Sequence, residues 1–162
     1  MPNKCSHLFS CTAPILCPGY LEPQYRSVTL SDDLTHELHK ARQSARKLGL
    51  YSIQRHIFLC CDTEEAACAG RKEMKRSWDY LKERVKELGL DGCAHPWATK
   101  TQCMKVCQGG PIAVIYPEGT WYGRCTPEAL RQIVDEHLVR GRIVEKYLLF
   151  ANPLDGSPTK TP

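Results

Sequence analysis

The segment from Lys100 to Tyr116 constrains this chain most strongly. It reads KTQCMKVCQGGPIAVIY, so Cys103 and Cys107 are separated by three residues and stand just before a Gly-Gly pair. Glycines allow a backbone to fold closely around whatever the sulfurs hold. The apolar, mostly β-branched residues 112–116 that follow predict a strand. The two thiols are therefore expected in a loop at the mouth of a sheet, where they form half of a chelate.

The other half of such a site lies upstream. The apolar run HIFLC, residues 56–60, predicts a buried strand that ends at Cys60, and Cys68 follows eight positions later. Cys61 stands beside Cys60, so either one can supply the first ligand. Thiolates bind both iron-sulfur clusters and zinc, so these residues predict a metal centre without choosing the metal. Four thiolates can converge in it: Cys60, Cys68, Cys103 and Cys107.

Composition narrows the class of protein. A chain of 162 residues suits one domain with modest extensions. Its ten cysteines are too few for a small disulfide scaffold, and clusters of intracellular cysteines are more often metal-binding or catalytic. The net charge of +4 is diffuse, so no nucleic-acid partner is expected. No apolar run reaches the length of a signal-peptide core or a membrane span, so we expect a cytoplasmic protein without membrane contact, with an organellar stroma as the alternative.

The order of elements predicts the fold. Helical spacing of apolar residues, strand-like runs and turn residues predict a helix, a strand, a second helix, a short strand, a hairpin and a last helix. The helices are expected from Ser31 to Gly49, from about Met74 to Gly89, and from Thr126 to Gly141. The strands are expected up to Cys60, within 93–99, and at 112–116 and 120–124 around the turn Pro117-Glu118-Gly119.

From the strand at Cys60 onward, this order is that of the thioredoxin architecture. The predicted class is α/β, a small mixed sheet flanked by helices, with an added N-terminal helix. Pro111 stands where that architecture has a proline before its hairpin. The Cys-x-x-Cys motif of thiol oxidoreductases is absent, which disfavours thiol redox chemistry. The predicted domains are a disordered segment 1–30, a helix 31–50, the main domain 51–150 and a disordered tail 151–162.

Residues 55–147 resemble the thioredoxin-like 2Fe-2S ferredoxins. The sequence CMKVCQGGPIAVIYPEG, residues 103–119, is close to the signature of that family, and Trp121-Tyr122 and Thr126-Pro127-Glu128 continue the match. A similar loop occurs in the small 2Fe-2S subunit of respiratory NADH dehydrogenase. The resemblance implies a 2Fe-2S cluster and a possible homodimer, and its alignment through residues 56–59 favours Cys60 over Cys61. The implied ligands are Cys60, Cys68, Cys103 and Cys107.

These observations lead us to expect a one-electron carrier that is not an enzyme. Its partners would be redox proteins, either a reductase or an electron acceptor, and Lys100 and Lys105 beside the cluster loop would suit an acidic face on them. Two alternatives remain, a structural zinc module and an iron-sulfur sensor or thiol-redox protein. His56, Trp121 and Tyr122 are expected to have packing roles. Cys93 and Cys125 are expected to be free thiols.

Overall fold

The computed structural model describes residues 32–62, 64, 68–88, 96–155 and 158–161. Residues 1–31 and the predicted helix end at Gly89 lie outside them. The helices are α1 (Asp32–Lys47), α2 (Arg71–Leu88) and α3 (Pro127–Ile133). The strands are β1 (His56–Cys60), β2 (Trp97–Thr101), β3 (Ala113–Tyr116), β4 (Thr120–Tyr122) and β5 (Leu148–Ala151).

The five strands form one mixed sheet in the order β2-β1-β3-β4-β5. Strand β1 runs parallel to β2, and each of the other neighbouring pairs is antiparallel. The β1–α2–β2 unit followed by the β3–β4 hairpin and α3 confirms the predicted thioredoxin-like class. In this register Cys60 is opposite Thr101, so the end of β1 and the loop after β2 meet at one edge of the sheet.

The hydrophobic core lies between one face of the sheet and the helices α2 and α3. Ile57 is opposite Ile115 in the sheet, and both side chains are fully buried. Helix α3 begins as predicted, because Thr126 caps it by accepting a hydrogen bond from the Ala129 N–H and Pro127 occupies its first turn. The apolar stripe of α2 packs on the same core as α3.

The other face of the sheet carries a row of partly exposed aromatic side chains. His56 stacks on Phe58 with ring centroids 3.9 Å apart, and Phe58 meets Tyr116 edge to face. Trp121 stacks on Phe150 across β4 and β5 at 5.5 Å. These contacts agree with the packing roles expected for His56 and Trp121.

The last helix and the C-terminal segment differ from the sequence-based expectation. After α3 the chain continues as a π-helical turn over Val134–Leu138. This helical segment ends before Gly141, whose φ is 71°. Simple apolar spacing has no signal for an extra residue in a turn. The segment expected as a disordered tail contains a bridge instead, because Lys160 exchanges two backbone hydrogen bonds with Ala151 of β5.

The N-terminal helix lies within the expected range, over Asp32–Lys47, and Ser31 is outside the described residues. Helix α1 ends at Lys47, and Gly49 has the left-handed φ of 68° that a helix stop requires. Its apolar stripe is not buried, since Leu34 is 40% and Leu48 is 54% exposed. No helix among the described residues is long and apolar enough to cross a membrane.

Candidate metal centre

The four predicted ligands lie at the edge of the sheet where β1 ends. Cys60 is the last residue of β1 and is 2% exposed, and its N–H donates to the Ile112 carbonyl at 2.8 Å. Cys68 is half-buried and precedes α2 by a short turn. Cys103 is half-buried and Cys107 exposed, and both lie on the loop between β2 and β3.

The pKa values of the Cys68 and Cys107 thiols are raised, in part by neighbouring cysteines of the predicted site. A hydrogen bond with Cys103 raises the pKa of the Cys107 thiol, and the charge of Cys103 adds to this effect. Burial raises the pKa of Cys68, followed by the charge of Cys60 and, more weakly, those of Cys103 and Cys107. Four thiolates crowded in this way repel each other, and a cationic centre between them removes that repulsion.

Backbone hydrogen bonds hold the cysteine loop in place. The Cys103 N–H donates to Asp62 Oδ2 at 3.3 Å, and the Glu64 N–H donates to Asp62 Oδ1 at 3.0 Å. The Lys105 N–H donates to Cys103 Sγ at 3.4 Å, with Lys105 at a φ of 64°. A non-glycine residue in this region carries strain of about 1–3 kcal/mol, so the loop geometry is imposed by its surroundings.

The glycine end of the loop packs against both Cys68 and the residues after β4. A β-carbon on Gly110 would overlap Cys68 Sγ, so residue 110 leaves the space that this sulfur occupies. The Arg124 N–H donates to the Gly109 carbonyl at 2.6 Å, and the Cys125 N–H donates to the Pro111 carbonyl at 2.9 Å. The Gly110–Pro111 peptide is cis. Sequence inspection missed these roles of Gly110 and Arg124, because no local pattern links them to Cys68 and Gly109.

Two further cysteines face the core instead. Cys61 is 2% exposed, and its thiol donates to the Met74 carbonyl in α2 at 3.4 Å. Burial raises the pKa of Cys61, opposed by the charge of Lys100. Cys125 is fully buried with its thiol directed at the Tyr122 carbonyl, and burial also raises its pKa. Cys93 lies outside the described part of the chain.

His56 and Tyr122 have structural partners. His56 Nε2 lies 2.7 Å from Thr99 Oγ1, so the imidazole ring is hydrogen-bonded to a side chain of the neighbouring strand β2. Tyr122 is fully buried, and its hydroxyl contacts His137 Nδ1 at 2.8 Å and accepts the Val144 N–H at 3.1 Å. Neither residue is bonded to a thiol of the site.

The donor set consists of four cysteine thiols, which are the ligands that a 2Fe-2S cluster takes. Cys103 and Cys107 lie on one loop, and Cys60 ends the strand that precedes Cys68. A 2Fe-2S cluster takes two thiolates on each iron, whereas zinc takes four donors around one point. The residues present fit a 2Fe-2S cluster.

A cavity of about 660 Å³ opens at the opposite end of the sheet from the cysteines. It lies between the start of β1, the hairpin turn and the C-terminal segment, and its lining includes His56, Tyr116, Glu118 and Leu154. None of the four cysteines lines it.

The fold and the site together define a thioredoxin-fold protein with four predicted cysteine ligands around one end of its sheet. No family model matches the chain. It is 32% identical over 93 residues to a 2Fe-2S ferredoxin of Clostridium pasteurianum, a match that spans 56% of this chain and 91% of that protein. It is 30% identical over 102 residues to a 2Fe-2S ferredoxin of Aquifex aeolicus, spanning 59% and 88% of the two chains.

Solved structures agree with these sequence relatives. A thioredoxin-like [2Fe-2S] ferredoxin from Aquifex aeolicus superimposes with a TM-score of 0.53 and 25% identity, covering 64% of this chain and 97% of that one. A further structure of the wild-type ferredoxin of this type from the same organism gives a TM-score of 0.50 at 28% identity, covering 59% and 95%. The chain belongs to the thioredoxin-like 2Fe-2S ferredoxins, as the sequence resemblance predicted.

Proposed function

We propose that this protein is a one-electron carrier whose redox group is a 2Fe-2S cluster. The observation that carries the proposal is the similarity of the chain to 2Fe-2S ferredoxins, and the exposure of Cys107 at one end of the sheet supports it. When bound, such a cluster accepts and releases single electrons. The chain supplies the ligands, holds them in a strained loop and leaves one side of the site open to a partner.

The proposed ligands are Cys60, Cys68, Cys103 and Cys107. Cys60 is favoured over Cys61 because the Cys61 thiol donates to the Met74 carbonyl in the core, and the resemblance through residues 56–59 supports the same choice. Gly110 supports the choice of Cys68, because it leaves the room that this sulfur fills. Asp62 acts as a positioning residue, since it fixes the Cys103 backbone.

The redox partner approaches the loop side of the site in this proposal. Cys107 is exposed and Cys103 half-buried, whereas Cys60 is covered by the sheet. A partner therefore comes nearest to the cluster along residues 103–109. We infer no catalytic turnover by the chain itself, because its four thiols are used as ligands and the cavity described above lies away from them.

A homodimer is the proposed assembly. The sheet face opposite α2 and α3 carries partly exposed aromatic rings, and stacked pairs such as Trp121 with Phe150 offer a flat apolar surface to a second copy. Sedimentation equilibrium of the cluster-bound protein tests this, with Trp121→Lys as the variant expected to dissociate it. A monomeric mass for the unaltered protein over micromolar concentrations would contradict the dimer.

The experiment that tests the function begins with anaerobic purification. We expect a red-brown protein with equal amounts of iron and sulfide, and a spin-one-half electron paramagnetic resonance signal that appears with dithionite and disappears on reoxidation. A colourless protein that contains zinc would replace this proposal with the structural zinc module. Loss of the cluster on each redox cycle would replace it with the iron-sulfur sensor.

The proposed compartment is the cytoplasm, with an organellar stroma as the alternative. Cell fractionation with an antibody against the chain separates the two.

A further inference from the structure

Helix α1 carries an apolar stripe that the described part of the domain leaves largely uncovered. Ala41 and Leu48 are exposed, Leu38 and Ala45 are half-buried, and no described side chain of α1 belongs to the buried core. Helices in proteins owe most of their stability to the packing of such a face. A further surface is therefore needed to cover the stripe.

Exposed apolar side chains are concentrated in this helix and the turn after it. Six large ones are exposed in the part of the chain that the structure describes, and four of them lie within residues 34–51: Leu34, Leu48, Leu50 and Tyr51. A concentration of exposed apolar side chains marks an interaction site. The segment precedes residues 55–147, over which the chain resembles the 2Fe-2S ferredoxins, so the ferredoxin domain does not account for it.

The spacing of the stripe is that of the seam of a coiled coil. Its positions are separated alternately by four and three residues: Leu34, Leu38, Ala41, Ala45 and Leu48. This alternation keeps all of them facing one partner helix in a left-handed supercoil. The Leu48 N–H donates to the Ser44 carbonyl at 3.0 Å, so the helical pattern reaches the last of these positions. The surface that fits the stripe is therefore another helix.

The alanines of the seam favour a helix over a lipid surface. Helices that lie in a membrane surface present large side chains such as Trp, Phe and Leu on the apolar face. Ala41 and Ala45 add little apolar area, but they allow the axes of two helices to approach closely.

Charged residues beside the seam select a second copy of the same helix. With Leu34, Ala41 and Leu48 at heptad position d, Glu37 is at position g and Arg42 follows at position e. In a parallel pair each Glu37 lies beside Arg42 of the other copy, so the symmetry gives two contacts between opposite charges. An antiparallel pair places g beside g and e beside e, where no opposite charges of α1 meet.

Both charged groups are available for such contacts. Glu37 and Arg42 are exposed, and neither forms an ion pair with a residue that the structure describes. Residues three and four positions away on a helix are the ones that can pair with each other. Around Arg42 these positions hold no carboxylate: Leu38, His39, Ala45 and Arg46.

We propose that α1 pairs in parallel with α1 of a second copy of this chain as a two-stranded coiled coil, with Glu37 of each copy beside Arg42 of the other. The inference rests on the proposed homodimer and adds a contact on a different element from the aromatic sheet face. Helices of this length associate weakly alone, so the pair strengthens the dimer together with the other contact and does not replace it. Its parallel direction places both ferredoxin domains at the same end of the helices.

The test reverses the charges and measures the dissociation constant of the dimer by sedimentation equilibrium. Glu37→Arg or Arg42→Glu alone turns two attractive contacts into two repulsive ones, so each variant is expected to dimerise roughly tenfold more weakly than the unaltered protein. In an equal mixture of the two variants, both contacts of the mixed dimer are attractive again. The dissociation constant of the mixed dimer should therefore return to that of the unaltered protein.

Lys40→Glu is the matched control. Lys40 is exposed on α1 at heptad position c, away from the seam, so its reversal should leave the dissociation constant unchanged. Circular dichroism and the visible spectrum check that each variant keeps its fold and its cluster. A dimer that Arg42→Glu and Lys40→Glu weaken equally, or that the mixture does not restore, would overturn the helix pair and leave the homodimer standing.

Two further outcomes would also overturn the pair. A monomeric unaltered protein would remove the homodimer and the helix pair together, while the redox test of the electron carrier is unaffected. Cosedimentation of the unaltered protein with phosphatidylserine vesicles, abolished by Leu38→Lys, would assign the stripe to a membrane surface in place of a second copy.

Discussion

Gly110 lies so close to Cys68 that a β-carbon at position 110 would overlap the Cys68 sulfur. This contact joins the glycine end of the cysteine loop to the residues just before α2, which no local sequence pattern connects. It makes the loop and Cys68 a single unit.

The first prediction concerns this contact. Gly110→Ala should displace Cys68 and reduce the cluster content per chain at least several-fold, because Cys68 is among the proposed ligands. Visible absorbance and the iron content per protein measure the effect. Gly70→Ala is the matched control, since a β-carbon at Gly70 meets no atom within 4 Å. Equal cluster content in the two variants would show that the Cys68 sulfur is free to move.

The second prediction concerns the ligands. Replacement of Cys60, Cys68, Cys103 or Cys107 by Ser should abolish the cluster or alter its spectrum, because each iron needs two thiolates. Cys61→Ser and Cys125→Ser should retain the cluster, since both thiols donate to carbonyls in the core. Visible and electron paramagnetic resonance spectra check the series. If Cys61→Ser removes the visible spectrum of the cluster and Cys60→Ser leaves it normal, then Cys61 is the first ligand in place of Cys60.

The third prediction concerns pH and the buried His137. Burial lowers the pKa of His137 from 6.5 to about 4, with Arg55 adding to the effect and Glu118, 3.7 Å from Nε2, opposing it. Between these values the unfolded chain binds a proton that the folded chain does not. This contribution to the free energy of unfolding is therefore complete above pH 6.5 and is lost as the pH falls towards 4, up to about 3 kcal/mol.

The variant His137→Gln isolates that effect. Its melting temperature, followed by circular dichroism, should change less between pH 7.5 and pH 5 than that of the unaltered protein. Acid lability of the cluster affects both proteins alike, so the difference between the two slopes reports on His137. Identical slopes would mean that His137 has the same pKa in the folded and unfolded chain, and would contradict the lowered value.

The fourth prediction concerns backbone strain at Lys105. Lys105→Gly should leave the melting temperature unchanged or raise it, because glycine adopts a φ of 64° without the cost of about 1–3 kcal/mol that other residues carry there. Lys100→Gly removes the same charge from the extended strand β2, where glycine costs roughly 0.5–1 kcal/mol, and should lower the melting temperature. A comparable loss in both variants would contradict the strain.

Local signals predicted most of the fold. The strand His56–Cys60 was expected to end at Cys60 and does so, because a short apolar run next to polar residues has few alternatives. The hairpin turn was marked by Pro117 and Gly119, and Gly119 has the expected positive φ of 59°. Thr126 begins α3 as its capping chemistry predicts. In each case the deciding interaction lies within a few residues of the chain.

Other elements depend on distant contacts and were not predicted. The π turn over Val134–Leu138 contains His137, whose partner Tyr122 lies on another element. The bridge between Ala151 and Lys160 forms where the end of the chain returns to the sheet edge. Leu34 on the apolar stripe of α1 is 40% exposed, although its helical spacing predicted a buried face. The spacing of apolar residues along the sequence contains no information on these long-range contacts or on the exposure of Leu34.

The sequence by itself determined the chemistry of the site: thiol donors, a glycine-rich loop of fixed spacing and nearby lysines. Only the tertiary structure directed the Cys61 thiol to the Met74 carbonyl of α2, because successive side chains at a strand end point to opposite sides and packing against α2 sets which side is the core. It also brought Arg124 to Gly109, since the sheet register joins the end of β4 to the loop before β3. Residue types and their spacing determine which ligand the site can bind, whereas long-range packing determines which residues contact one another.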